Sequence, residues 1–221
     1  IGELRIDPIS KVALYDVNVP DQQGKKMIHV DRIGAGISLG ALLFKQRIVF
    51  SYAEVIALDG CISKATPEDK MNIQFLIDAL SPKDKTKPPT KFDLRLEAVV
   101  IRKSNLSYDV LSEPQKAKGI FDKNHISITD INTDIIVPDL RNNYFTIDVR
   151  RLAFKEQSGF ELRNLTTLIH IDNNHIDTKV IDISFPQSHI TINPIHLTFK
   201  NLKSLDKDIN NLPLTLDIKD A

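Results

Sequence analysis

Tryptophan is absent from this 221-residue chain, cysteine occurs once, at Cys61, and aromatic residues make up only 6% of the sequence. A single thiol excludes an internal disulfide framework and a cysteine zinc site, and it leaves the redox compartment open. The apolar neighbours of Cys61 predict a buried, inert thiol rather than a nucleophile. Net charge is missing too: 29 basic and 29 acidic residues cancel. That balance disfavours a nucleic-acid partner, which selects a basic surplus or stripe. No stretch reaches the roughly 18 apolar residues that a membrane-crossing helix needs. The chain opens at Ile1 on strand-like Leu4-Arg5-Ile6, with no charged-then-apolar leader. The expectation is therefore a segment cut from a longer protein.

What the chain does have is alternation. Its hydrophobic content is 42%, enough for a sizeable core. Arg47–Lys64 carries Ile48, Phe50, Tyr52, Ile56 and Leu58 on one phase of a two-residue period, which predicts a strand with one covered face and a turn or bulge near Asp59-Gly60. Lys11–Val19 reads as a strand, and Pro20, Asp21 and Gly24 read as a turn. Similar stretches recur at Phe92-Leu94-Leu96, Leu106-Tyr108-Val110, Ile126-Ile128, Ile135–Val137, Phe145-Ile147-Val149, Leu168–Ile171, Val180–Phe185, Ile190-Ile192 and Leu197–Phe199. Ser158-Gly159 reads as a further turn. Thr66-Pro67-Glu68-Asp69 is a helix-start signal, so the expected helix runs from there to Ser81-Pro82. The proline- and lysine-rich stretch at 81–91 reads as a solvated, flexible loop. Short polar connections predict antiparallel neighbours. Composition leaves two β-architectures open, a compact sandwich or a long curled sheet.

No stretch nominates a reaction. Gly34, Gly36 and Gly40 lack the Lys-Ser/Thr pair and helix start of a phosphate-binding loop. None of the six histidines shows the spacing of a zinc protease. His170 and His175 flank an expected turn and read as ordinary cross-strand residues rather than a metal site. Acids such as Asp93, Glu97 and Asp148 fall on the polar phase of strands. The expectation is no enzyme, no cofactor and no metal.

Several ordered patterns resemble a known family. They begin at Ile1-Gly2-Glu3-Leu4 and continue through Val17–Lys26 (VNVPDQQGKK), Ile37–Leu43, Val55–Ile62 and Asn72–Leu80 (NIQFLIDAL). Leu94–Tyr108, Lys155–Leu162 (KEQSGFEL) and Ile181–Ile190 (IDISFPQSHI) follow in the same order. Together they resemble the TamB-like translocation and assembly module family in its Bacteroidota form, within the AsmA-like group. One departure is Lys25-Lys26-Met27, where that family usually continues Asp-Thr-Leu.

The resemblance implies a mainly β fold: an elongated, curled antiparallel sheet, an open β-taco or groove, with one short helix after residue 66. It treats residues 1–221 as one β-rich segment with a flexible loop at 81–91. It also implies a periplasmic segment of a protein anchored in the inner membrane, carrying phospholipids through a hydrophobic groove and supporting outer-membrane assembly. The partners would be phospholipid acyl chains and, through the parent chain, an Omp85-type outer-membrane barrel. Candidate groove residues are Ile48, Phe50, Ile56, Leu58, Phe92, Leu94, Leu96, Phe145, Ile147 and Val149. The competing reading is a β-sandwich adhesin or ligand-binding module of the cell envelope. The lack of tryptophan and of a tyrosine platform counts against it. An open sheet could also template strands of outer-membrane proteins by edge pairing.

Overall fold

A computed structural model describes residues 1–7, 11–37, 48–80, 92–117, 119–141, 144–199, 201 and 218–220. Among the described residues the chain is mainly β, with one short helix and a large, mostly antiparallel sheet that does not close on itself. The strands are β1 (Glu3–Asp7), β2 (Lys11–Pro20), β3 (Lys26–Ile37), β4 (Ile48–Lys64), β5 (Phe92–Val110), β6 (His125–Arg141) and β7 (Tyr144–Glu156). Shorter ones follow: β8 (Glu161–Leu162), β9 (Asn164–Ile171), β10 (His175–Thr178), β11 (Ile181–Ser184), β12 (His189–Ile192), β13 (His196–Thr198) and β14 (Ile218–Asp220). Sequential neighbours pair from β1 to β7, and the path continues β9-β11-β12-β14. β10 pairs with β9 and β13, and β8 with β7. No helix among the described residues is long and apolar enough to cross a membrane. The predicted loop at 81–91 lies outside the described residues.

The chain groups into two compact units. The first is Ile1–Arg95, Ile101–Ile131 and Phe154–Phe160; the second is Leu96–Val100, Asn132–Ala153 and Glu161–Ala221. Only nine apolar side chains are buried among the described residues, so most alternating residues stay partly open to solvent. In the first unit the buried set is Ala13, Val17, Met27, Val30 and Val110, with polar Ser104, Asp122, His125 and Glu156. In the second it is Val149, Ala153, Leu162 and Phe199, with Thr133 and Thr146.

Several strands are longer than the alternation suggests, because they pass through left-handed residues instead of ending. Phe92-Leu94-Leu96 and Leu106-Tyr108-Val110 belong to one strand, β5, and Ile126-Ile128 and Ile135–Val137 to another, β6. Asp16, Ala57, Lys103 and Asp130 adopt φ of 50°, 53°, 51° and 54°, a region that costs a non-glycine residue roughly 1–2 kcal/mol. Asp16 is bracketed by the pairs Tyr15↔Arg32 and Val17↔Val30, and Ala57 by Arg32↔Ile56 and Val30↔Leu58. Asp16, Asp31 and Ala57 therefore line up across three strands.

Side chains replace the ladder bonds lost at these kinks. The hydroxyl of Ser104, which is fully buried, accepts from Leu58 N at 3.1 Å and donates to Arg102 O at 3.0 Å. Asn105 Oδ1 accepts from Asp130 N at 3.2 Å. A buried amide without a partner costs free energy, so these bonds stabilise the kinks at which they form.

The expected turn at Asp59-Gly60 is not there: both residues stay in register with His29 and Ile28 on one unbroken β4. Gly60 serves packing instead, since a Cβ on it would lie 2.7 Å from Leu106 Cδ2. Cys61, predicted to be buried, is exposed. It follows Gly60 on the strand, so its side chain leaves from the face opposite Leu106.

The helix α1 starts later than the capping signal suggests, at Gln74, and ends at Leu80. Thr66 and Asp69 form a local turn, with Asp69 Oδ2 accepting from Thr66 N at 3.0 Å and from its hydroxyl at 2.8 Å. Asn72 then ties the segment to β4. Its Oδ1 accepts from Ser63 N and its Nδ2 donates to Cys61 O, both at 3.0 Å. Its backbone N also donates to Ser63 O at 2.8 Å, which ties the Asn72 backbone to the strand, and helical bonding starts after it.

Two expected turns form as read. Asp21 Oδ1 accepts from the amides of Gln23 and Lys25 at 2.8 Å, and Gly24 takes φ +82°. In the Glu156–Phe160 turn, Glu156 Oε2 accepts from Ser158 N at 2.8 Å and Gly159 takes φ +100°. The Phe160 ring lies 5.8 Å from that of Phe154. The Glu-x-Ser-Gly-Phe sequence is thus a hairpin tip with each residue type in structural use.

Candidate functional site: an aliphatic sheet face

In the second unit the register sorts side chains onto two chemically distinct faces. β7 pairs with β9 through Phe145↔Ile171, Ile147↔Ile169 and Val149↔Thr167. β9 meets β10 through Ile171↔Ile176, and β10 meets β13 through Ile176↔Leu197. Along the rest of β9, Leu165 pairs with Ile183 of β11, which pairs with Ile190 of β12; Ile181 pairs with Ile192. Cross-strand partners point to the same side of a sheet, so these residues form one aliphatic face. All are half-buried apart from Val149, which is buried. The polar exceptions are Thr178, paired with Ile169, and Thr167, whose buried hydroxyl has no hydrogen-bond partner among the described residues.

The opposite face is polar. Thr146 pairs with His170, His170 with Asp177, and Asp177 with His196. Asp182 lies between Thr166 and Thr191. Hydrogen bonds tie these groups together: Thr146 Oγ1 to His170 Nδ1 at 3.0 Å, and His189 Nε2 to Asp182 Oδ2 at 3.0 Å. His175 stacks on His196 at 5.4 Å and contacts Asp172 at 3.2 Å. The Asp172 carboxyl is held below its usual range, chiefly by the Asn174 amide, with the His175 amide and ring adding to the effect.

A one-residue irregularity keeps the faces consistent. Thr178 pairs with Ile169, but Asp182 pairs with Thr166, so β10 and β11 differ in register by one. Ile176 and Ile183 have opposite parity in sequence and share a face because of this bulge. The partner strand is interrupted too, at Asn193–Ile195, where Thr178 N donates to Ile195 O and Ile195 N to the Thr178 hydroxyl, each at 2.9 Å.

Of the ten residues proposed from sequence, Phe145, Ile147 and Val149 lie together on the aliphatic face. Leu165, Ile169, Ile171, Ile176, Ile181, Ile183, Ile190, Ile192 and Leu197 join them and are not among the ten, because alternation marks phase but not which side of the sheet a phase faces. Leu96 also falls in the second unit. Ile56 and Leu58 are half-buried in the first unit, level with Arg32 and Val30. Their face is mixed. Val17 and Val30 are buried there, and the Arg32 guanidinium pairs with Glu54. Ile48 and Phe50 lie on β4, and Phe92 and Leu94 on β5. The side-chain surroundings of Ile48, Phe50, Phe92, Leu94 and Leu96 fall outside what is described. At backbone level, the β3–β4 register shifts between Gly36↔Tyr52 and Ile37↔Phe50, so the two-residue period does not run straight from Phe50 to Tyr52.

Among the described residues, the first unit includes two clefts lined largely by polar side chains. One, of about 570 Å³, lies among the 21–25 turn, the end of β4 and α1. Its acids have local duties: Asp21 in its turn, Asp69 on Thr66, and Asp78 on Gln74 at 2.9 Å. The other, of about 320 Å³, borders the 111–124 loop and includes His125. His125 is buried, with Nδ1 3.1 Å from Asp109 Oδ1 and Nε2 2.9 Å from Glu113 O. Asp109 foremost, then the Glu113 carbonyl, raise its pKa above the ordinary value against the opposing effect of burial. The Lys116 and Asn124 amides lower that of Asp122, again against burial. These contacts fold the loop back on itself. They create no nucleophile–base pair, and no group of three metal-ligating side chains gathers among the described residues.

Chemically, then, the described residues offer an aliphatic surface backed by a polar one. No protein-family model matches the chain, and no curated protein matches it either.

Proposed function

We propose that this chain is a periplasmic segment of a bridge-like envelope protein that carries phospholipids between the inner and outer membranes. In this reading the parent chain is anchored in the inner membrane, meets an Omp85-type barrel and supports outer-membrane assembly. The observation that carries the reading is the aliphatic face of the second unit, from Phe145 and Ile147 across to Ile183 and Ile192. Acyl chains need continuous apolar surface out of water, and each methylene so transferred contributes up to about 0.8 kcal/mol. A sheet with isoleucine on one side and aspartate, threonine and histidine on the other offers such a surface while keeping a wettable back. The ordered sequence motifs supply the envelope context.

Adjacent residues of β9 provide the test. Ile169 lies on the aliphatic face, and Leu168, paired with Asp148, lies on the polar one. Lipid extracted from the purified chain should be identifiable by mass spectrometry as phospholipid. After delipidation, a fluorescent fatty acid should bind, Ile169→Asp should abolish binding, and Leu168→Asp should leave most of it. Absence of both co-purified lipid and fatty-acid binding would sink the proposal, as would equal losses in the two variants.

A further inference from the structure

The mixed face of the first unit carries a cluster that the acyl-chain reading leaves unused. Two neighbouring rows cross β1 to β4. One runs Glu3↔Tyr15↔Arg32↔Ile56, and the next runs Arg5↔Ala13↔Gly34↔Glu54. The Tyr15 ring lies 4.8 Å from the Arg5 guanidinium and 5.9 Å from that of Arg32. Between Arg5 and Glu54 the row holds only Ala13 and Gly34, so tall charged ends flank a low floor. A Cβ on Gly34 would lie 3.2 Å from Glu54 Oε2 and 3.7 Å from Arg32 Nη2. The ion pair therefore leans over that floor.

We infer that Arg5, Tyr15 and Arg32 form a subsite for the phosphate-bearing head of a zwitterionic amphiphile, beside Ile56. The inference rests on the proposed lipid reading and names a subsite for it. Arg32 binds Glu54 through Nη1, and its side chain stays 30% exposed. Arg5 holds Glu3 through Nε and Nη2 at 2.7 and 2.9 Å. Each guanidinium, planar with five donors, thus keeps N–H groups that a phosphate oxygen can accept from. Two arginines and two glutamates make the cluster neutral, which matches a head carrying both phosphate and ammonium. Phosphate meets the guanidinium edges, and the ammonium meets the carboxylates and the Tyr15 ring. Ile56, at the end of the Arg32 row, gives the first apolar contact beyond the head. A free phosphate ester presents the same chemistry without the chains.

Three probes separate these sources in calorimetric titrations of the whole chain: dihexanoyl phosphatidylethanolamine, dihexanoylglycerol, and glycerophosphoethanolamine. The expected result is about tenfold tighter binding of the phospholipid than of the phosphate-free lipid, the scale of one or two charge-assisted hydrogen bonds. Arg5→Gln, at a side chain 63% exposed, should remove most of that margin without a folding cost, and Arg32→Lys should reduce it by loss of the planar fork. Equal binding of both lipids, or a margin unchanged in both variants, overturns the subsite and leaves the acyl-chain reading standing. Binding of glycerophosphoethanolamine alone keeps the subsite as a phosphate-ester site and overturns the acyl-chain reading. No binding of any probe overturns both.

Discussion

Removing the Ser104 hydroxyl isolates the device that lets long strands pass through left-handed residues. Ser104 is fully buried, accepts from Leu58 N at 3.1 Å and donates to Arg102 O at 3.0 Å. Ser104→Ala takes away the hydroxyl bonded to that amide and leaves a part-buried donor and a part-buried carbonyl without this bond. An unsatisfied buried group costs about 1–3 kcal/mol, and the small void left by one oxygen adds little, so the expected loss is about 2 kcal/mol. For a chain of this length that corresponds to roughly 4–8 °C in melting temperature. Ser104→Thr keeps the hydroxyl and should recover part of the loss, limited by room for the extra methyl. The assays are urea unfolding by circular dichroism and amide hydrogen exchange. The second is the more specific, because Leu58 N should lose protection while Val30 and Arg32 on the neighbouring strand keep theirs. If Ser104→Ala stays within about 0.5 kcal/mol of the parent and Leu58 stays protected, the kinks are not held by substitute side-chain bonds and the reasoning fails.

Three further outcomes are expected. The raised pKa of His125 means that its contribution to stability is complete below the unfolded value of about 6.5 and is lost as pH rises through the higher folded value. The lowered pKa of Asp122 means that its contribution is complete above the unfolded value of about 3.8 and is lost as pH falls through the lower folded value. Exchange protection of the 111–124 amides should therefore fall on the alkaline side of pH 6.5, and protection rising there would contradict the raised pKa of His125. Met27, fully buried, should cost about 2–5 kcal/mol as Met27→Ala, whereas Leu4, 57% exposed, should cost under about 0.5 kcal/mol as Leu4→Ala; urea midpoints compare the two, and similar losses would refute the burial pattern. Cys61, exposed, should react with a maleimide in native buffer within minutes, and reaction only after denaturant would show the thiol to be covered.

The legible part of the fold is the part that local chemistry encodes. The Asp21–Lys25 and Glu156–Phe160 turns follow from an acid that accepts neighbouring amides and a glycine that supplies positive φ. Strand positions follow from the two-residue period. Strand ends were harder to read, since Lys103-Ser104-Asn105 looks like a polar break. It became the middle of β5 because Ser104 and Asn105 bond to neighbouring strands, and such partners do not show in a local window. The late start of α1 has the same origin, with Asn72 held by Ser63 and Cys61, residues of β4.

By itself, then, the sequence determined that the chain is β-rich, antiparallel, helical for a short stretch after residue 66, and apolar on alternate positions, because those properties follow from spacing along the backbone. Which alternate positions face the same way was decided only in three dimensions. Ile176 and Ile183 share a face because a bulge at Lys179-Val180 reverses the phase between them, and Phe50 and Tyr52 are separated by a register shift against β3. A one-residue slip moves every later side chain to the other side of a sheet. The aliphatic face, the Arg5–Tyr15–Arg32 cluster and the exposure of Cys61 are therefore consequences of the register in which the strands pair.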